Sequence, residues 1–423
     1  MIKLFSILVV LFPFLHQFGL PIELPFLTET FSIGQLVLLP FLAVFLLDKV
    51  PVEGVFGMKP VRLSGFFFFS IVTVMCSLIG ASVTGGSLLG TLKALLVLAF
   101  LCILLLGSRG WFNIAFAMKA YSFFAVLFSV FLIVQFAALR ARGIVLTDGF
   151  TSPAVYNCIF DGTYLERFCD TGTPASLFLS PDAFALWVTP ALAYLLLWNR
   201  SGYAALPFTS SVTITAALFL SESALGILLA AVAWFCYFIV PVAYFLVHPV
   251  DAAYRFRSGG AGRICLQILT YLVIVILFTL YLLDGTLSRV LVPHFRELLL
   301  SPVLSSGIDY VSDILTSTRL QLCGVGIGNA MGALEAAGIA DASLNTVGTI
   351  LLSSGLVGIA AFAFLLVSLV VKRKGKFGFT VAAMLFIIAV FADVAYTPIF
   401  GFWFLIAHYA DSAEMPMRRY MRL

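Results

Sequence analysis

The chain has 423 residues, of which 62% are hydrophobic and 10% charged, and its 24 Lys and Arg against 20 Asp and Glu leave a formal net charge of +4. A water-soluble domain keeps roughly a quarter of its residues charged, so the composition excludes a soluble enzyme and predicts an all-α polytopic membrane protein. No basic run is long enough to suggest nucleic acid as a partner, and the seven cysteines and four histidines show no metal-ligand spacing.

A helix crossing the hydrocarbon core needs about 20 mostly apolar residues. Such runs lie at 4–21, 30–47, 65–84, 87–107, 116–139, 178–197, 207–221, 223–247, 264–283, 345–371, 378–395 and 398–412. They predict about twelve transmembrane helices in one integral-membrane domain, residues 1–423. Lys3 before the first apolar run resembles a signal peptide. No small-residue cleavage site follows, however, and Phe18-Gly19-Leu20-Pro21 reads as a helix end, so the run is expected to stay as a span.

Loop charges set the expected orientation. With both termini cytoplasmic, 16 Lys and Arg fall on the cytoplasmic side and six, all arginines, on the outer side, while Lys93 and Lys119 lie within spans. Two outer loops are long, 140–177 and 284–344, and long loops in compact proteins tend to carry function. In the second, residues 287–300 and 308–322 have helix-like apolar spacing (Ile308, Val311, Ile314 or Leu315, Leu322). Short amphipathic helices on the membrane surface are therefore expected, with Pro293 and Pro302 breaking the first stretch and Gly324 ending the second.

The outer arginines are Arg140, Arg142, Arg167, Arg289, Arg296 and Arg319. Arginine recognises phosphate and carboxylate through two parallel hydrogen bonds, which lysine cannot do. One reading is a site for a diphosphate; the other is pairing with loop acids such as Asp148, Asp161, Glu166, Asp170, Asp309 and Asp313. Lys93, Asp182, Glu222 and Asp393 fall at the outer ends of spans, where charge is costly and marks a water-filled cavity unless it snorkels or caps a helix. Gly324-Val325-Gly326-Ile327-Gly328-Asn329 lacks the Gly-Lys-Ser/Thr and the preceding strand of a nucleotide loop. It reads either as a tight turn that brings backbone amides close to a site or as a plain loop. Cys158 and Cys169, in the first outer loop, are a candidate disulfide in an oxidising compartment; the other five cysteines read as small apolar residues.

Three stretches together resemble the O-antigen polymerase and O-antigen ligase superfamily of bacterial inner-membrane glycosyltransferases. The run from Arg167 through Gly172 to Ser180-Pro181-Asp182-Ala183-Phe184-Ala185 is similar to an Arg, Gly and Pro-Asn-x-x-Ala pattern opening a span. Leu220-Ser221-Glu222-Ser223-Ala224-Leu225-Gly226 is similar to a serine-containing span start. Gly324 to Asn329, Ser343-Leu344-Asn345-Thr346 and Ser354-Gly355 to Gly358 are similar to a GxGxG, HN, GxxG block.

The resemblance implies a GT-C-like fold and a metal-independent, cofactor-free glycosyltransferase working at the periplasmic face of the inner membrane. Its substrate class would be undecaprenyl-diphosphate-linked oligosaccharide, and its partners a chain-length regulator and a flippase. It implies Arg167 and Arg319 on the diphosphate, which must be stabilised as it leaves. The acceptor hydroxyl needs a base, with Glu222 first and His294, Glu335 and Asp341 behind it. Arg140, Arg142, Arg289, Arg296, His294, Asn329, Asn345 and Asp182 are the expected substrate-binding residues. Leu344 stands where the ligases carry His, and the serine stretch lacks their basic residue, which favours a polymerase of repeat units into O-antigen, capsule or exopolysaccharide. The rivals are a ligase acting on lipid A core and a twelve-span flippase or transporter; a transporter predicts repeated halves, and none is visible in the sequence.

Overall fold

The computed structural model describes residues 2–18, 32–47, 61–86, 88–142, 174–178, 180–198, 205–247, 311, 314–338, 344–371 and 376–420. Among the described residues every regular element is a helix: α1 (Ile2–Leu15), α2 (Ile33–Leu47), α3 (Val61–Thr84), α4 (Leu88–Trp111), α5 (Ile114–Arg142), α6 (Pro181–Trp198), α7 (Ala205–Leu220), α8 (Ala224–Val247), α9 (Thr318–Cys323), α10 (Ala330–Ala336), α11 (Thr346–Val370), α12 (Lys376–Phe391) and α13 (Pro398–Tyr420). Three stretches, Gly65–Thr84, Ile114–Ala141 and Thr346–Val370, are long and apolar enough to cross a bilayer, and shorter apolar helices accompany them. The expected spans fall on helices except 264–283, which lies outside the described residues.

Several boundaries differ from expectation. The first helix stops at Leu15, with a turn at His16 and Gln17. Arg140 and Arg142, expected in an outer loop, lie in the last turn of α5, where the cationic side chain of Arg140 suits the negative end of the helix dipole. The expected helix over 308–322 is interrupted. Ser317 is extended (φ −101°, ψ 148°), and its side chain caps α9 by accepting from Leu320 N–H. Val311 and Leu315 are buried with Val325, Leu334, Leu344 and Leu352, so these two apolar residues help seal a small satellite core. The span expected over 378–395 ends at Phe391, which leaves Asp393 in a non-helical connection.

The bundle has its polarity reversed relative to a soluble protein. On α3 the exposed stripe is Phe68, Ile71, Met75 and Leu78, and on α5 it is Phe123, Leu127, Val130 and Val134, at helical spacing. The inward positions include Ser70, Thr73 and Ser77 on α3 and Ser122, Ser129 and Gln135 on α5. Such stripes suit lipid, while three of the inward hydroxyls find acceptors on their own helix: Ser70, Ser122 and Ser129 each donate to the carbonyl four residues back. Small residues allow close crossings. A Cβ on Gly65 would lie 2.5 Å from Ser368 Oγ, where α3 packs along α11.

Backbone groups freed by proline are paired in the same way. Pro190 has no N–H for the Leu186 carbonyl one turn earlier. Trp403 Nε1–H donates to that carbonyl at 2.9 Å, and the Tyr121 hydroxyl donates to the next one, Trp187 O. Trp187 Nε1–H also reaches a carbonyl of another helix, Val10 O on α1, at 3.0 Å. Trp187, Trp403 and Tyr121 are fully buried and tie α1, α5, α6 and α13 into the main core.

The most constrained junction joins the glycine turn at 324–329 to α11. Helix α11 is broken at Gly355 (φ 63°, ψ −163°), which displaces the amides that the Leu352 and Ser353 carbonyls would otherwise accept from. Val325 N–H and Gly326 N–H take their place, at 2.8 and 3.0 Å. Backbones meet without side chains between them: a Cβ on Gly324 would lie 2.5 Å from Leu352 O, and one on Gly355 2.4 Å from Leu322 O. Both glycines have positive φ, which a side chain further disfavours. We expect Gly324→Ala to destabilise the fold by more than about 1 kcal/mol, read as a lower apparent Tm in detergent. Gly332→Ala, where a Cβ meets open space on α10, is expected to leave Tm unchanged or raise it.

Candidate functional site

Side-chain contacts define the two ends of the bundle. At the base end the Asn113 N–H donates to Ser6 Oγ at 2.9 Å, Ser108 Oγ meets Tyr409 Oη at 3.1 Å, and the Tyr194 and Phe377 rings touch. These contacts join the start of α1, the α4–α5 junction, late α13, the end of α6 and the start of α12. The opposite head end therefore holds the ends of α5, α7 and α12, the starts of α6, α8, α11 and α13, and the turn at 324–329. Among the described residues three non-glycines have positive φ: Ser176, Glu222 and Tyr396. All three lie in head-end connections. Left-handed backbone costs a non-glycine roughly 1–2 kcal/mol, and such strain is concentrated at functional sites.

Two polar clusters occupy this end. In the first, Glu222 sits in the tight turn between α7 and α8, and its Oε1 lies 3.8 Å from Arg140 Nη2 on α5. The next residue, Ser223, donates through Oγ to Asp182 Oδ1 at 2.5 Å and accepts from Gly226 N–H at 2.9 Å, capping α8. The start of α6 is set from below. Ser176 Oγ donates to Phe128 O at 2.8 Å, Gln135 Nε2 donates to Ser176 O at 2.9 Å, and Pro174, Ala175 and Ser176 are buried, so part of the expected outer loop is tucked into the bundle. The Arg140–Glu222 pair is only partly shielded, the two side chains being 69% and 26% exposed, so it orients the guanidinium more than it stabilises the fold. Arg140 also lies 5.4 Å over the Phe136 ring.

The second cluster lines the start of α11. Asp393 Oδ2 accepts from Thr349 Oγ1–H at 2.7 Å, and Oδ1 accepts from Ala395 N–H at 3.2 Å. One turn along α11, Ser353 Oγ meets Tyr396 Oη at 3.0 Å, and Ser354 Oγ meets it at 3.2 Å. A polar chain therefore runs from Asp393 along α11 to the break at Gly355 and the glycine turn. Asp393 keeps some exposure to water while much protein surrounds it. Desolvation pushes its carboxyl up to about 6, against the bonds from Thr349 and Ala395 that favour the charged form.

The remaining expected site residues divide clearly. Arg319 is exposed on α9 and has no ion pair among the described residues. Asn329 closes the glycine turn; its Nδ2 donates to Thr91 Oγ1 at 3.1 Å, and a Cβ on Gly86 would meet its side chain at 2.8 Å. Asn345 caps α11, accepting from Gly348 N–H at 2.7 Å and donating to Val390 O at 2.9 Å, so both ends of its amide serve the fold. Glu335 is exposed on α10. Arg167, Arg289, Arg296, His294, Asp341, Cys158 and Cys169 lie outside the described residues, as do the side chains of Arg142 and Lys93. No group of three or more His, Cys, Asp or Glu able to hold a metal ion occurs among the described residues.

Sequence reasoning flagged Asp393 as a charge at a span end but missed Thr349, Ser353 and Tyr396 around it. A signal was present: Thr349 and Ser353 are one turn apart in the mainly apolar helix α11. No protein-family model matches the chain, and no curated protein is significantly similar to it. Thr349→Val removes the hydroxyl that favours the charged carboxylate, so the Asp393 titration midpoint should move above about 6. The protonated-carboxyl infrared band, assigned by its loss in Asp393→Asn, reads the shift; an unmoved midpoint would show that the bond to Thr349 does not govern this carboxyl.

Proposed function

We propose that the chain is a membrane glycosyltransferase that polymerises undecaprenyl-diphosphate-linked oligosaccharide repeats. In this reading it has about twelve spans, both termini in the cytoplasm, and its head end at the periplasmic face of a bacterial inner membrane. The observation that carries the proposal is the convergence of three separate stretches at one end of an apolar bundle: Asp182 meets Ser223, Glu222 faces Arg140, and the glycine turn docks on α11 beside Asp393. A lipid-linked donor keeps its isoprenoid in the bilayer against the apolar flanks, while its diphosphate and sugars lie at the head end.

In the transfer, an acceptor sugar hydroxyl forms the new bond to the donor's anomeric carbon, the bond from that carbon to the diphosphate breaks, and the hydroxyl proton passes to a base. Arginines at the head end stabilise the departing diphosphate. Arg319 is exposed and without an ion pair among the described residues, and it is joined in this role by Arg167. Glu222, first expected as the base, instead orients Arg140. Asp393 suits the proton better, because a carboxyl near 6 is ionised at neutral pH yet basic enough to accept it.

Deleting the gene tests the reaction. Loss of a polymerase leaves single-repeat glycan on its acceptor, loss of a ligase leaves none and accumulates lipid-linked polymer, and loss of a flippase traps donor at the inner face. The first pattern is expected. Asp393→Asn should lower polymerisation about 10²-fold or more with the protein still made. Because the proton acceptor must be ionised, wild-type activity should hold above about 6 and fall as pH drops through that value. Full activity in the variant would remove Asp393 from the mechanism without touching the polymerase reading.

A further inference from the structure

Cys76 and Cys323 belong to elements far apart in the chain, and the fold brings them face to face. Cys76 lies two turns from the head end of α3, and Cys323 is the last residue of α9, directly before the glycine turn. Helix α9 packs on α3 at this point, which sets the two thiols beside each other. The surrounding backbone is equally close: a Cβ on Gly80, one turn beyond Cys76, would lie 2.5 Å from Gly324 O, and Ile327 N–H donates to Ser77 Oγ at 3.1 Å. Cys76 is buried and Cys323 partly exposed, and neither is oxidised here.

We propose that Cys76 and Cys323 are a redox-responsive pair that closes to a disulfide and locks the glycine turn onto α3. A disulfide needs Cα atoms within about 7 Å and Cβ atoms facing each other, and the close approach of Gly80 to Gly324 and of Ser77 to Ile327 holds the two segments together beside the cysteines. Unequal exposure sets the order of steps. The Cys323 thiolate attacks a small disulfide such as oxidised glutathione, forming a mixed disulfide and releasing one glutathione thiolate. Cys76 then gives up its proton, attacks Cys323 Sγ and expels the second glutathione thiolate, so two protein thiols and one disulfide become one protein disulfide and two thiols. The bond crosses the site's most constrained junction: Val325 and Gly326, which pair with the α11 break, follow Cys323 directly. An oxidising compartment at the head end closes the pair, and a reducing one leaves it a dithiol.

The test uses full-length purified protein treated with oxidised glutathione or dithiothreitol, alkylated, and mapped by peptide mass spectrometry. A linked peptide joining Cys76 to Cys323 should appear under oxidation and vanish under reduction, while Cys102 and Cys236 stay alkylatable. Oxidised wild type should also melt at a higher temperature than reduced protein, a difference that Cys323→Ser abolishes. Two results would overturn the proposal: both cysteines remaining free thiols under oxidant, or Cys323 holding a glutathione adduct that Cys76 never resolves.

Discussion

A backbone N–H or C=O in hydrocarbon has no water to turn to, and each one left unpaired costs several kcal/mol. The meeting of the glycine turn with α11 answers that constraint. The break at Gly355 displaces the usual partners of the Leu352 and Ser353 carbonyls, and Val325 and Gly326 supply replacements from a loop. Such an exchange requires two backbones in contact, which is why Gly324, Gly355 and Gly80 sit where any Cβ would fall within 2.5 Å of a backbone atom. The glycines are thus explained by packing before any role toward a ligand is invoked. The turn's amides at 325 and 326 are spent on α11 and the one at 327 on Ser77.

The same accounting governs the core. Pro190 leaves Leu186 O to be paired from elsewhere, and Trp403 does so from another helix. A soluble protein could leave such a carbonyl to solvent. Here the proline kink becomes a specific α6–α13 contact, which fixes where the connection ahead of α13 lies and therefore where Asp393 and Tyr396 stand. Position at the head end is inherited from hydrogen bonds made deep in the bundle.

Much of the helical layout was legible because a 20-residue apolar run has few alternatives. What stayed hidden were contacts between distant segments. The glycines of 324–329 were conspicuous, but their partners are carbonyls of Leu352 and Ser353, which every residue possesses and no sequence pattern marks. Asn345 looked like part of a binding motif and turned out to cap a helix, a role its short amide fills by accepting from Gly348 N–H. The apolar period over 308–322 suggested one helix. It did not show that Ser317 would compete for Leu320 N–H and start a new helix there. Glu222 was visible as a rare charge at a span end, while its left-handed backbone and its arginine partner depend on the turn between α7 and α8.

The two head-end clusters differ in a way that assigns them different work. Glu222 faces a cation and shares it with water, so its charge is balanced and directed. Asp393 has no cation among its hydrogen-bond partners; it is held by a hydroxyl and a backbone amide, and desolvation works against its charge. On the proposed function, a carboxylate in the first setting positions a guanidinium, and one in the second takes up a proton. Asp393 is held by Thr349 of α11, one turn from Ser353, whose carbonyl the glycine turn occupies and whose hydroxyl contacts Tyr396. Any displacement of the turn therefore reaches Asp393 through a single turn of α11, so the glycine junction that holds the fold together also sets the geometry of this cluster.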